Sequence, residues 1–239
     1  MKALILAGGR GKRLEGISEE KNKCMIEIHG KPVLEYNLEY VSQTEVEEII
    51  LIVGYRAEEI INRFGISFSG KPIKYVIQWE QKGLVHAIEC ARESLGKADF
   101  ALFLGDEIFL NPRHNEMYRA FNTGKYFGMC GILSVKNRER IKKTYTIIQN
   151  NEGVIHRLVE KPRNPINDLM GTGSCVFRNE ILKYIEFTPI HQERKEKEFP
   201  DLVQCAVDEG KVIKSFVICD QYVNINSMED YKLAEGFFK

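Results

Sequence analysis

Three glycines and a run of cations stand at the end of the first apolar stretch. Residues 3–7 (ALILA) are continuously apolar, and Gly8, Gly9 and Gly11 follow at once. Without a Cβ in the way, backbone N–H groups there can close on a ligand. Arg10, Lys12, Arg13, Lys21 and Lys23 surround the bend. A flexible backbone with clustered positive charge suits a polyphosphate. A second chemical group ends another apolar run, where residues 100–104 lead into Gly105, Asp106 and Glu107. A carboxylate at a strand's end, facing the glycine bend, is placed to hold a hard divalent cation bridging phosphate oxygens. An Asx-turn or a helix cap is the plainer use of the same aspartate.

Spacing excludes two common phosphate loops. A Walker loop needs a glycine five residues before its Gly-Lys and a hydroxyl after it, but Leu6 and Arg13 stand there. The dinucleotide fingerprint starts at Gly9 and Gly11 and meets Leu14 where its third glycine belongs. What remains is L-A-G-G-x-G-x-R-L with a lysine ten residues after the arginine. This resembles the signature of the sugar-phosphate nucleotidyltransferases, the nucleoside-diphosphate-sugar pyrophosphorylases. The resemblance implies that Leu6, Ala7, Gly8, Gly9 and Gly11 hold a nucleoside triphosphate, and that Arg13 and Lys23 are catalytic.

Further motifs follow in the family's order. Gln78 and Gly83, with four residues between them, match the family's base-recognition segment, although Leu84 replaces its usual threonine. An amide offers both donor and acceptor, which reading a base edge requires. Asp106 matches the family's magnesium-bound, nucleotide-binding aspartate. Val159-Glu160-Lys161-Pro162 resembles V-E-K-P, where the glutamate binds sugar hydroxyls and the lysine the acceptor phosphate. Met170 to Gly173 sits where the family has a small-residue turn against the sugar, so Gly173 joins the acceptor site. Near the C-terminus Asn224 replaces the family's second metal-binding aspartate, with Asn226 as the competing choice. Asn22 for proline and Lys12 for threonine are lesser departures. Tyr145-Thr146, where many members have Tyr-Gly, leaves the acceptor's identity open.

These residues need elements to carry them. Buried-strand patterns at residues 3–7, 49–53, 73–77 and 100–104 alternate with helical ones at 34–41, 57–64 and 84–95. Strand, helix, strand in that order implies a parallel sheet with right-handed crossovers. Short strand-like runs at 126–135, 145–148, 154–159 and 174–177 predict a smaller mixed-sheet region for the acceptor, with a hairpin turn at 150–153. The mixed-charge run 191–198 reads as a solvated face or mobile loop, with folding over the acceptor as the alternative. Ser227 before Glu229 and Asp230 predicts a capped final helix. The expected fold is α/β, a Rossmann-like three-layer sandwich with a mostly parallel sheet. A single domain of 1–239 would divide into a nucleotide half, 1–110, and an acceptor half, 111–239.

Bulk composition narrows the partners. Lys+Arg and Asp+Glu both number 34, so no net field draws in nucleic acid or an acidic membrane. No apolar run approaches the ~20 residues of a membrane span. Six scattered cysteines without a C-x-x-C pair suit a reduced, cytoplasmic protein, and five dispersed histidines argue against zinc.

The expected activity is transfer of a nucleotidyl group to a phosphorylated acceptor, above all a sugar 1-phosphate, with Mg2+ and release of pyrophosphate. A homo-oligomer is compatible with this. A cytidylyltransferase for a non-sugar phosphate or phosphonate would share the first half. A non-catalytic nucleotide-sugar sensor would be expected to lose Arg13, Lys23 or Asp106, and all three are present.

Overall fold

The computed structural model describes residues 1–9 and 22–238. Gly11 and Arg13, expected in the nucleotide site, lie outside the described residues. In chain order the first half runs β1 (Lys2–Leu6), β2 (Glu27–Ile28), β3 (Lys31–Pro32), α1 (Val33–Ser42), β4 (Ile49–Val53), α2 (Ala57–Phe64), β5 (Ser67–Phe68), β6 (Lys71–Ile77), α3 (Leu84–Cys90), α4 (Arg92–Leu95), β7 (Phe100–Leu104) and β8 (Glu107–Leu110). The second half adds α5 (His114–Thr123), β9 (Gly128–Ser134), β10 (Tyr145–Gln149), β11 (Ile155–Glu160), β12 (Leu169–Phe177), α6 (Phe199–Asp208), β13 (Ile213–Val217), β14 (Gln221–Asn224) and α7 (Met228–Gly236).

Ten strands form one sheet, ordered β11-β10-β12-β7-β1-β4-β6-β5, with β9 and β13 joined through β12. The strands β7, β1, β4 and β6 are parallel, and β12 meets β7 antiparallel. Alternate residues of β1 enter opposite cores. Ala3 and Ile5 pack with α1, α2 and α5, whereas Leu4 packs with α3 and α6. A sheet covered on both faces explains why these strands are continuously apolar. The chain leaves β1 outward to β4 and β6, then returns to β7 on β1's other side. That reversal opens a crevice beyond the carboxyl ends of β1 and β7, the place where open α/β sheets bind ligands.

A third, smaller core holds the last elements. The β8–β14 ladder pairs Asn224 with Glu107, and Ile108, Val223 and Ile225 pack with Ile26, Ile28, Val33 and α7. Ser227 accepts a bond from Asp230 N and so caps α7 as expected. Among the described residues, no helix is long and apolar enough to cross a membrane.

One buried group sets an acid limit on stability. His114 is 4% exposed, its Nε2 has no partner, and its ring stacks on Tyr40 at 5.3 Å. Burial pushes its pKa down to about 3. The folded value lies below the unfolded one of ~6.5, so the unfolded chain takes up the proton first. Stability from the neutral ring is complete above pH ~6.5 and drains away as pH falls toward the folded value, by at most ~1.4 kcal/mol per pH unit. In thermal melts, His114→Phe should flatten the fall in Tm between about pH 6.5 and 4. An unchanged slope would refute this.

Candidate active site

The glycine bend and the acidic turn meet at the crevice. β1 ends at Leu6, and Ala7 N donates to Ile52 O at 2.8 Å. Gly105 N donates to Leu6 O at 2.9 Å, which ties the two strand ends together. A side chain on Gly54 would lie 2.9 Å from Gly8 O, so glycine at 54 lets the neighbouring loop approach. Gly8 O also accepts from Tyr55 N at 3.2 Å and Gln81 Nε2 at 2.8 Å.

Lys23 also reaches this crevice. It lies on a 3-10 turn, residues Lys23–Met25, that Asn22 caps. Asn22 is fully buried. Its Nδ2 donates to Ala7 O at 3.2 Å and Tyr55 O at 2.6 Å, and its Oδ1 accepts from Cys24 N at 2.8 Å. The departure from proline is therefore a structural brace that fixes where the lysine starts. Sequence reasoning passed over it, and its only signal was the substitution itself.

From there Lys23 Nζ forms an ion pair with Asp106, and donates to Asn226 Oδ1 at 2.7 Å and Asn224 Oδ1 at 3.3 Å. Asn226 Nδ2 in turn donates to Asn224 Oδ1 at 2.6 Å. The β8–β14 ladder and the bond from Ile225 N to Asp106 O at 2.9 Å place both amides beside the aspartate. Three oxygen-bearing side chains thus already surround one cationic group. Among the described residues no group of three His, Cys, Asp or Glu side chains is arranged around a metal position. A hard cation here would draw on one carboxylate and amide oxygens, a donor set that suits magnesium.

Gln78 is 7% exposed at the carboxyl end of β6. Its Nε2 sits 3.2 Å from Gly83 O and 3.0 Å from His86 Nδ1, leaving Oε1 as the open edge toward Gly8. Gly83 has φ of 88° and opens α3. Trp79, next to Gln78 in the chain, is 84% exposed and so outside the core.

A cavity of about 290 Å³ opens beside Asn224 and Asn226, the amide partners of Lys23. Glu160, Lys161 and Gly173, the residues expected from sequence to meet the acceptor, all line it, as does Asn224. Glu160 and Lys161 are paired at 2.9 Å. Burial raises the Glu160 pKa, while Lys161 pulls against it. Lys161 has φ of 42°, and its backbone N donates to Thr144 O at 2.6 Å. That left-handed backbone at a non-glycine residue stores strain and fixes the side chain's direction.

Two expectations need correction here. Residues 170–173 are not a turn but the first part of β12, which starts at Leu169 rather than 174, with a register shift between Gly171 and Cys175. Gly173 is required there because a Cβ would collide with Leu104 and lie 2.9 Å from Glu107 Oε1. Gly173→Ala should cost about 1–3 kcal/mol in urea unfolding through overpacking, and an unchanged midpoint would contradict the contact. The run 191–198 is a folded strap. Ile190 bridges Lys197, His191 N donates to Glu196 O at 2.8 Å, and Arg194 pairs with Glu198. Glu196 and Glu198 line the cavity, and the Glu196 carboxylate packs so closely on Gly83 that a Cβ there would collide with it.

Glu107 has no role in the sequence motif. It is 1% exposed and lines the cavity. Its Oε1 accepts from Gly173 N at 2.9 Å and Tyr222 OH at 2.5 Å, while Oε2 is buried without a partner. Burial pushes its pKa up to about 8, against the pull of those two donors.

The sheet order, the crevice and the cavity define a nucleotide-diphospho-sugar transferase fold. The structure superposes on a UDP-glucose pyrophosphorylase complexed with UDP-glucose with a TM-score of 0.86, at 22% identity, covering 98% of this chain and 97% of the other. A UDP-glucose pyrophosphorylase from Acinetobacter baumanii gives 0.83 at 19% identity, covering 98% and 91%.

The family profile described as nucleotidyl transferase matches residues 2–231, and the chain belongs to that family. It is 29% identical to a UTP–glucose-1-phosphate uridylyltransferase of Haloferax volcanii over 98% of this chain and 95% of that protein. It is 30% identical to a glucose-1-phosphate thymidylyltransferase of Streptomyces griseus over 96% of this chain, which spans 64% of that protein.

Proposed function

We propose that the protein is a pyrophosphorylase that transfers a nucleotidyl group from a nucleoside triphosphate to a sugar 1-phosphate, giving an NDP-sugar and pyrophosphate. The observation that carries this reading is the convergence of Lys23, Asp106 and Asn224 beside a cavity that also holds Glu160 and Lys161. One acceptor phosphate oxygen attacks the α-phosphorus. The bond from that phosphorus to the bridging oxygen breaks, and pyrophosphate leaves with the electron pair. A phosphate monoester is largely dianionic near neutral pH, so no general base is needed. The barrier lies in bringing anions together, which makes positioning and charge the protein's task.

Lys23 neutralises the reacting phosphates from its seat at the crevice. Leu6, Ala7, Gly8 and Gly9 cradle the triphosphate, with Gln78 and Gly83 at the base. Gly11 and Arg13, outside the described residues, keep their parts from the sequence motif alone, Arg13 meeting the departing pyrophosphate. Lys161 holds the acceptor phosphate, and Glu160 and Gly173 line its sugar. Asp106 and Asn224, with Asn226 beside them, would hold Mg2+. When bound, the ion supplies charge neutralisation at the phosphate oxygens. Residues 1–110 serve the nucleotide and 111–239 the acceptor. All six cysteines are free thiols, which fits a cytoplasmic location. The test is a pyrophosphate-release screen of the common triphosphates against sugar 1-phosphates. No release from any pair would refute the reading.

A further inference from the structure

Gln78 carries a donor and an acceptor on one amide, and turning that amide over exchanges them. Its neighbours decide which way it lies. Gly83 O stands 3.2 Å from one end and can only accept, so that end is Nε2. His86 Nδ1 stands 3.0 Å from the same end and must therefore accept too. A neutral imidazole whose Nδ1 accepts carries its hydrogen on Nε2, here 3.9 Å from Cys90 Sγ.

The spacing builds this column. Gly83 opens α3, and His86 and Cys90 follow three and then four residues on, so all three lie along one helix face. Gln78 is 7% exposed, and either amide hydrogen left without an acceptor would be costly there. Gly83 and His86 use both. Oε1 accepts no bond among the described residues, and it is not one of their sealed polar atoms. It lies toward Gly8, where an added Cβ would stand 3.1 Å from it. The end that faces the crevice is thus an acceptor. A ring N–H on the pairing edge, as in uracil, thymine and guanine, can donate to it. Cytosine and adenine bring a bare ring nitrogen there, lone pair against lone pair. A site built around such a bond discriminates steeply against a partner that cannot complete it.

We propose that His86 is a positioning residue of the nucleotide site: it holds the Gln78 amide with Oε1 toward the base, and so sets a preference for bases with a ring N–H. This rests on the nucleotide-site reading above and names the class of base. His86 acts only through the amide it holds.

Two measurements test it. Side-chain 1H–15N correlation spectra of the unaltered protein in mildly alkaline buffer, with the His86 signal assigned by its loss in His86→Asn, should show a hydrogen on Nε2 and a bare Nδ1. A hydrogen on Nδ1 overturns the proposal. Calorimetric binding and pyrophosphate release against sugar 1-phosphates then compare UTP and dTTP with CTP, and GTP with ATP. In whichever size class binds, the ring N–H base should lead by at least about tenfold in affinity and in kcat/KM. His86→Phe should cut that lead below about threefold and raise KM for the preferred triphosphate about fivefold, with less change in kcat. His86→Asn, whose Oδ1 can accept in place of Nδ1, should keep most of the lead. An equal or better CTP or ATP overturns the orientation of the amide. An undiminished lead in His86→Phe, or an equal loss in both variants, overturns the positioning role. The expected binding pattern without any pyrophosphate release upholds His86 and overturns the transferase. No binding of any triphosphate overturns both. Should His86→Phe fail to fold, the tautomer in the unaltered protein decides alone.

Discussion

Asp106→Ala is expected to slow pyrophosphate release by about a thousandfold, equivalent to about 4 kcal/mol of transition-state stabilisation. The aspartate follows β7 at the crevice and is the carboxylate in contact with Lys23. Removing it takes away the one anionic oxygen group of the proposed cation site, and amide oxygens alone bind a hard cation less well. The loss should appear in kcat as well as in kcat/KM, because charge at the phosphates matters most where it develops. The fold should survive, since the Asp106 carboxylate belongs to no hydrophobic cluster, and far-UV circular dichroism would check this. Mn2+ titration in the presence of a non-hydrolysable triphosphate gives a second readout, with affinity expected to fall at least tenfold. Near-normal turnover would remove Asp106 from the machinery.

The parts legible beforehand share a physical cause. Ile49–Val53 and Phe100–Leu104 are buried on both sheet faces, so each is an unbroken apolar run, and both strands match their expected bounds. Helix Ala57–Phe64 was equally readable from its periodicity and closing glycine. The start of β12 was hidden because Met170-Gly171-Thr172-Gly173 is small and turn-like. Those glycines answer to Tyr145 and Leu104, which press on them from other strands, and no local pattern encodes that. That the charged strap closes on the cavity, the less favoured of its two readings, was hidden for a related reason. Arg194–Glu198 neutralises it internally, and Glu196 rests on a distant glycine, so high local charge did not mean a solvated face. Asn224 could be matched to a motif, but that it and Asn226 would share one lysine beside Asp106 could not be read from the sequence, because the ladder with β8 and the bond from Ile225 N to Asp106 O set them there. The partnerless oxygen of Glu107 was invisible beforehand because burial without a partner is a property of packing.

Lys23→Met is expected to have two opposite effects, which separates a charge role from a structural one. The lysine ammonium lies among the oxygens of Asp106, Asn224 and Asn226 that make up the proposed cation site. Methionine keeps a long, flexible side chain and deletes the charge. Turnover should drop by roughly 10²–10³, or about 2.7–4 kcal/mol, the usual loss when one preorganised electrostatic group is removed. Without a triphosphate, however, the variant should bind Mn2+ at least tenfold more tightly than the parent, because Asp106 would no longer be paired internally. In the parent the same pairing makes cation binding weak until phosphate oxygens give Lys23 a second partner. Cation and triphosphate should therefore bind with positive coupling, and by linkage each should raise the other's affinity by the same factor. Calorimetry of Mn2+ with and without a non-hydrolysable triphosphate measures that factor in both proteins. It should shrink in the variant. Unchanged Mn2+ affinity together with unchanged coupling would mean that lysine and cation do not compete for Asp106, and the shared seat would have to be abandoned.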